Sequence, residues 1–397
     1  MIRQMLKLIW KRKRANGFLV AEILLTYFVL FAVTTVILDA LDRYRRPNGF
    51  STENLLNISM EEIGPRSEPR ELAPVFIRLG RELRDLDGVA EVGYTWWPLY
   101  QMIMNIGTFD LGDGRKLQMN ETRLSDACRE VLELELVSGR WFGPEDDGAQ
   151  DTPAVINENL ARALFGNEDP LGRTFRERYR VIGVITDFRL YGEFDDPRNL
   201  LITRVVLEPP DAETNPTYVA VILLKTSRPI TAELNASILE TLQAVEPSWT
   251  YDITPVEDMR VSMLKHRITP YLMAGAAGTS LVGMVVLGLF GVLWQNIAAR
   301  TREIGLRRAK GATVRHIYLQ ITGEMLIVAT AGIIPGIVLV LQMIAIDAAG
   351  SANIPFSVHL AAIALAAVVL YVIVILCSLY PGYMATRINP AEALRYE

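Results

Sequence analysis

Apolar residues along the 397-residue chain gather into four long runs, and the polar stretches between them differ sharply in character. The runs cover 18–38, 270–297, 317–346 and 358–380. A hydrocarbon core about 30 Å thick is crossed by roughly 20 helical residues at about 1.5 Å each, so each run is long enough to span a membrane. Glu22 interrupts the first run, the third holds Glu324 and the pair Pro335-Gly336, and the fourth is expected to close at Pro381-Gly382. The cluster Lys11-Arg12-Lys13-Arg14 ahead of the first run also suits a cleavable signal peptide. That run is too long for one and no A-x-A site follows it, which favours an uncleaved anchor.

The stretch 39–269 shows shorter periods. Leu72, Val75, Phe76, Leu79, Leu83 and Leu86 recur at helical spacing and predict a helix over 69–86. Strands are expected at 89–97 and 153–156, with a hairpin of 102–110 and 116–121 around Gly112-Asp113-Gly114. A helix over 158–165 stops at Gly166, and Pro170-Leu171-Gly172 makes a turn. A strand pair follows at 174–179 and 181–188, then a strand at 218–225, a helix at 232–245 and a strand at 249–254. A helix from 256 leads into the second run. This loose β-α-β succession predicts a two-lobed α+β domain. The fold class expected is an α-helical membrane protein with four transmembrane helices and that domain inserted between helices 1 and 2.

Charge orients the arrangement. Arg3, Lys7, Lys11, Arg12, Lys13 and Arg14 precede the first run without an acid, and the 298–316 loop holds Arg300, Arg302, Arg307, Arg308, Lys310 and Arg315 against Glu303. The 347–357 loop has neither Lys nor Arg, and the 381–397 tail carries Arg387 and Arg395. By the positive-inside rule, the basic segment 1–17, the 298–316 loop and the tail are cytoplasmic, and 39–269 and 347–357 lie outside. Residues 39–269 contain 26 basic and 39 acidic side chains, a net −13, whereas the remainder has 14 and 6, a net +8. The basic inner face follows from topology, and nucleic acid is not an expected partner.

Catalytic chemistry finds no support. His266, His316 and His359 are scattered, and Cys128 and Cys377 stand in unlike surroundings, so neither a metal site nor a disulfide framework is expected. The clusters Glu145-Asp146-Asp147 and Asp195-Asp196 lack calcium-loop spacing and read as solvated loops. No G-x-x-x-x-G-K-[ST] occurs, so no nucleotide is expected to bind this chain through a P-loop.

Two stretches carry a family resemblance. PAVINENLARALFGNEDPLGRTFRERYRVIGVITDFR, at 153–189, resembles the periplasmic core domain of MacB-type ABC transporter permeases, and LELVSGRWF at 134–142 resembles that family's G-R-x-F element. RTREIGLRRAKGAT, at 300–313, is similar to the cytoplasmic loop shared by MacB, LolC/LolE and FtsX permeases, and NPAEALRYE resembles the family's ending. The resemblance implies that Arg300, Glu303, Ile304, Gly305, Leu306, Arg307, Arg308 and Gly311 form a coupling helix gripped by a cytoplasmic ABC ATPase. The residues agree: Glu303 and Arg307 are spaced for an i,i+4 pair, and Gly311 stands where a helix C-terminal glycine releases the chain. Glu22 and Glu324 are the acids within the spans, expected to snorkel or pair near the inner face, and the resemblance implies that Glu324 stabilises the inner end of the bundle.

MacB carries a fused ATPase, whereas here only a short basic segment precedes the first span, so ATP and Mg are expected on a separate subunit and no cofactor on this chain. A second permease subunit, identical or related, is expected beside it, in a bacterial inner membrane. Few polar residues in the spans leave little room for a hydrophilic channel, which favours mechanotransmission on periplasmic or lipid-anchored substrates, such as peptides, lipoproteins or drugs. A periplasmic adaptor, lipoprotein or hydrolase is compatible as a further partner. The alternative is an FtsX-like regulator that switches a cell-wall hydrolase without moving cargo.

Overall fold

The computed structural model describes residues 13–62, 68–100, 106–110, 116–208, 219–298, 306, 311–347 and 354–387. The chain divides into an inserted unit, Arg43–Ile268, and a membrane unit made of Met1–Asp42 and Thr269–Glu397. The first half runs α1 (Lys13–Arg45), β1 (Leu55–Glu62), α2 (Pro69–Arg84), β2 (Val89–Thr95), β3 (Ile106–Asp110), β4 (Lys116–Leu124), α3 (Cys128–Val131), β5 (Leu136–Gly139) and β6 (Thr152–Asn157). It continues with α4 (Glu158–Phe165), β7 (Thr174–Phe175), β8 (Tyr179–Ile185), β9 (Leu200–Arg204), β10 (Val221–Thr226), α5 (Ala232–Val245) and β11 (Trp249–Pro255). Three long helices close it: α6 (Val256–Ala298), α7 (Val314–Asp347) and α8 (Phe356–Arg387).

The inserted unit is built on one mixed sheet with the order β11-β1-β10-β2-β4-β9-β6-β8-β5, with β3 added to β4 and β7 to β8. It is two-lobed because β2 and β4 share a single register pair, Thr95↔Leu124. In the first lobe, α2 sets Leu72, Phe76, Leu79 and Leu83 against Leu56, Ile58, Ile222 and Leu224, and α5 adds Leu234, Ile238 and Leu242. In the second, Leu160 of α4 packs on Ala154, Ile156, Tyr179, Val181 and Leu201. A third cluster spans both lobes on the other face of the sheet, joining Leu55, Val221 and Leu223 to Leu124, Val155, Ile185 and Ile202.

Of the hairpin expected from 102–110 and 116–121, residues 106–110 and 116–121 lie in β3 and β4, which pair antiparallel, and 102–105 and 111–115 lie outside the described residues. The strand expected at 174–179 is shorter. Arg176 and Glu177 take left-handed backbone, φ 51° and 56°, and turn the chain, leaving two-residue β7 against β8.

In the membrane unit α1, α7 and α8 share one apolar cluster, in which Leu19, Ile23, Tyr27 and Leu30 of α1 meet Val328, Ala329 and Ile333 of α7 and Ala366 and Leu370 of α8. Tyr27 of α1 is fully buried, and its hydroxyl donates to the carbonyl of Ile363 at 3.2 Å. A side chain on Gly336 of α7 would come within 2.7 Å of the Tyr27 ring, and one on Gly332 within 2.7 Å of Ile23. Small residues at such contacts let membrane helices approach closely. Thr330 of α7 and Tyr371 of α8 share a hydrogen bond of 2.9 Å. Leu272, Met284 and Leu287 of α6 remain exposed, as residues facing lipid do. Helix α8 runs on through Pro381-Gly382 to Arg387 rather than closing there. A proline removes one backbone donor, which a membrane helix tolerates.

Candidate functional site

Of the loop residues singled out by sequence, Arg300, Glu303, Ile304, Gly305, Arg307 and Arg308 lie outside the described residues. Leu306 is helical and 47% exposed. Gly311 has φ +91° with open space around it, so the requirement for glycine there is conformational rather than steric. The next helix begins directly: Thr313 accepts the backbone N–H of His316 on its side-chain oxygen at 3.3 Å.

The two intramembrane acids differ in setting. Glu324 is 2% exposed and accepts a hydrogen bond from Gln320 Nε2 at 3.0 Å, one turn back on the same helix. Glu22 is half-buried, with its carboxylate against Gly288 of α6, and its Oε2 has no hydrogen-bond partner among the described residues.

The motif residues of the inserted unit meet one another. Asn157, the last residue of the PAVIN strand, caps α4 by accepting the Leu160 N–H at 3.1 Å, and also accepts that of Leu200 at 2.9 Å. Its amide donates to Asp187 Oδ1 and to the carbonyl of Arg198, both at 2.8 Å. Asp187, of the D-F-R element, also accepts the N–H of Asn159 at 3.0 Å. Gly139 of the G-R-x-F element pairs in register with Gly183 of V-I-G-V. A side chain on either would run into opposing backbone, Ile182 O in one case and Arg140 O in the other.

Acid clusters expected as solvated loops are instead ion-paired, with arginines both near in sequence, Arg140 and Arg198, and far from it, Arg204 and Arg43. Arg140 holds Asp146 through two hydrogen bonds of 2.7 and 2.6 Å, and Arg204 reaches both Asp126 and Asp147. Burial pushes the Asp146 carboxyl up, but Arg140 and the Gly143 N–H outweigh it and hold the group below its ordinary value. Asp195 pairs with Arg198 and Asp196 with Arg43.

One constellation was not anticipated from sequence. Glu193, 5% exposed, accepts Arg260 Nη1 at 2.6 Å and Asn48 Nδ2 at 3.3 Å. Arg260 also clasps Glu257 with bonds of 2.8 and 2.6 Å, and Glu257 accepts the Thr52 hydroxyl. Arg189, 1% exposed, donates to the carbonyls of Arg43 and Glu193, each at 2.8 Å. Burial pulls the Arg189 guanidinium below its usual basicity, and the charges of Arg46 and Arg43 act the same way. Three parts of the inserted unit are thereby tied together: residues 43–52 at the end of α1, the 187–198 loop, and the first turns of α6. Arg189 ends the stretch 153–189 quoted above, but the members of the constellation are dispersed from 43 to 260, so no local period marks them.

Two family models match the chain: the MacB-like periplasmic core domain over 28–238 and the FtsX-like permease C-terminal over 275–390. The macrolide export ATP-binding/permease protein MacB of Chlorobium luteolum is 29% identical over 265 residues, 65% of this chain and 40% of that protein. The pyoverdine export ATP-binding/permease protein PvdT of Pseudomonas aeruginosa is 28% identical over 276 residues, 67% of this chain and 40% of that protein. The chain thus spans about 40% of the length of these curated relatives. The periplasmic region of MacB from Actinobacillus actinomycetemcomitans aligns with 56% of this chain and 97% of that one, at TM-score 0.39 and 18% identity.

Proposed function

The chain belongs to the MacB- and FtsX-type family of ABC transporter permeases, and from that premise we propose that it is a permease subunit worked by mechanotransmission. It is a membrane permease whose inserted unit lies outside the cytoplasm. In this reading an ABC ATPase, supplied outside these 397 residues and carrying ATP and Mg, grips the 300–311 loop under the inner membrane. Two permease subunits then move together, and both termini of each are cytoplasmic.

The observation that supports the reading best is the form of the two junctions. The boundaries at 42/43 and 268/269 fall within continuous helices, α1 over Lys13–Arg45 and α6 over Val256–Ala298, so neither junction is a loop. A helical junction is stiffer than a flexible linker, although Pro270 of α6, just past the second boundary, removes one backbone hydrogen bond there. The polar groups of the membrane unit also suit a lever better than a channel. Thr26, Thr34 and Thr35 direct their hydroxyls to carbonyls one turn back on α1, at 2.7, 2.7 and 2.8 Å. The substrate is then one already outside the cytoplasm or anchored in lipid: a peptide, lipoprotein or drug. The matched relatives are named as exporters, and no observation favours the regulatory switch.

Replacing Glu303 and Arg307 together with alanine tests the coupling loop. The expected result is loss of a co-purifying P-loop ATPase, with the protein still inserted in the membrane. Normal co-purification would overturn the assignment.

A further inference from the structure

We propose that one face of the second lobe is a docking surface for the acidic face of another extracytoplasmic protein, centred on Arg123, Arg176 and Arg178. The inserted region carries 39 acids to 26 bases, and most of its cations with a defined role are paired with acids: Arg84 with Glu91, Arg140 with Asp146, Arg204 with Asp126, Arg260 with Glu193. Arg123, Arg176 and Arg178 make no ion pair among the described residues. Each lies over an aromatic ring instead: Arg123 over Trp96 at 4.7 Å, Arg176 over Phe109 at 4.3 Å, Arg178 over Tyr179 at 4.5 Å. Stacking holds the planar groups against the sheet and reduces the side-chain freedom that a partner would otherwise have to remove.

The three groups share a face. Arg123↔Thr203, Thr203↔Ala154 and Ala154↔Val181 run in register across four strands, and Tyr179 stands two residues from Val181 on β8; this row is itself buried, packed by Leu160 of α4, and at its rim Arg178 is exposed and Arg123 and Arg176 are half-buried. Trp96 continues the row through its N–H to the carbonyl of Arg123 at 3.2 Å, with Trp97 beside it at a ring separation of 5.3 Å. Glu121 is an acid on the same face, two residues from Arg123. The turn that presents Arg176 has left-handed backbone at both central residues, a geometry suited to Asn and Gly and strained for other side chains. Arginine and glutamate are poor turn residues there, so the turn places a side chain at the expense of local conformational energy.

Composition favours a protein over a lipid surface. The cations are all arginine, interleaved with Trp, Phe and Tyr, which is the make-up of protein interface centres. Attraction to anionic lipid needs no ring stacking and is served equally by flexible lysines. Against a net charge of −13 over residues 39–269, a local basic patch would direct an acidic partner to one place. The proposal adds a partner to the permease reading and rests on the inserted unit being outside the cytoplasm. ATPase co-purification does not depend on it, so the two fail separately.

The test uses the full chain in detergent micelles with fluorescent poly-L-glutamate as probe. The expected result is salt-sensitive binding that Arg123→Glu/Arg176→Glu/Arg178→Glu weakens at least about tenfold. Arg78→Glu/Arg81→Glu/Arg129→Glu, the same charge change at exposed helical positions, should shift it less than about threefold. A triple Arg→Lys variant at 123, 176 and 178 keeps the charge and the fold, and should bind several-fold more weakly because lysine cannot stack. Equal loss in the two Glu triples, or full binding by the first, would overturn the proposal. So would Arg123- and Arg178-dependent retention on phosphatidylglycerol vesicles in preference to polyglutamate, which would make the face a lipid surface.

Discussion

Glu193→Ala is expected to lower the stability of the inserted unit by about 3–5 kcal/mol, because removing one partner of a buried pair leaves charge uncompensated. Arg260 would keep Glu257, but the buried Arg189 guanidinium would lose one of the two carboxylate charges, Asp196 and Glu193, that offset Arg43 and Arg46 around it. Unfolding of the full chain in detergent by urea, followed by tryptophan fluorescence, measures the effect. Glu193→Leu combined with Arg260→Leu should be closer to wild type than Glu193→Ala, since well-packed apolar replacements of buried pairs are often neutral. That outcome would also give the pair its meaning. A buried ion pair adds little net stability, so its value here lies in fixing the end of α1 and the start of α6 in one geometry. A loss below about 1 kcal/mol would place Glu193 among ordinary surface acids.

Gly139→Ala is expected to cost about 3–4 kcal/mol, from left-handed backbone strain and overpacking together. Its φ is +75°, and the added carbon would strike Ile182 O and come within 2.9 Å of Gly183 Cα. These are backbone atoms of β8, so relief requires separating β5 from the sheet rather than turning a side chain. Gly148→Ala is the control: φ is +72° there, but nothing lies within 4 Å. It should show the strain alone, on the order of 1 kcal/mol. The difference between the two denaturation curves isolates the collision, and equal losses would mean that the strands part freely at Gly139.

The sequence made legible whatever rests on length, local period or turn chemistry. Four apolar runs become α1, α6, α7 and α8, Leu72 to Leu83 become the buried face of α2, and the residues around Gly112-Asp113-Gly114 become the β3–β4 hairpin. Strands β1 and β9 escaped notice because both faces of each are buried. Leu55, Leu56 and Ile58 feed clusters on opposite sides of the sheet, as do Leu200, Leu201 and Ile202, so no alternation betrays them. The motif residues Asn157, Asp187, Gly139 and Gly183 could be quoted from the sequence, but their mutual contacts depend on strand order. The Glu193 constellation was illegible for the same reason, since Arg43, Asn48, Arg189 and Arg260 come together only through the folded sheet.

The claim that the inserted unit is moved by ATP is tested most directly by a distance measured between two copies. Ser237→Cys places a label on the exposed side of α5, while Cys128 and Cys377 are buried and free. Spin labels at this position, in the full chain reconstituted in vesicles with its co-purifying ATPase, report the separation of the outer units by dipolar coupling. Mechanotransmission predicts one distance distribution without nucleotide and a different one, shifted by several ångströms, with ATP and Mg. An identical distribution in both states, while ATP is being hydrolysed, would contradict it.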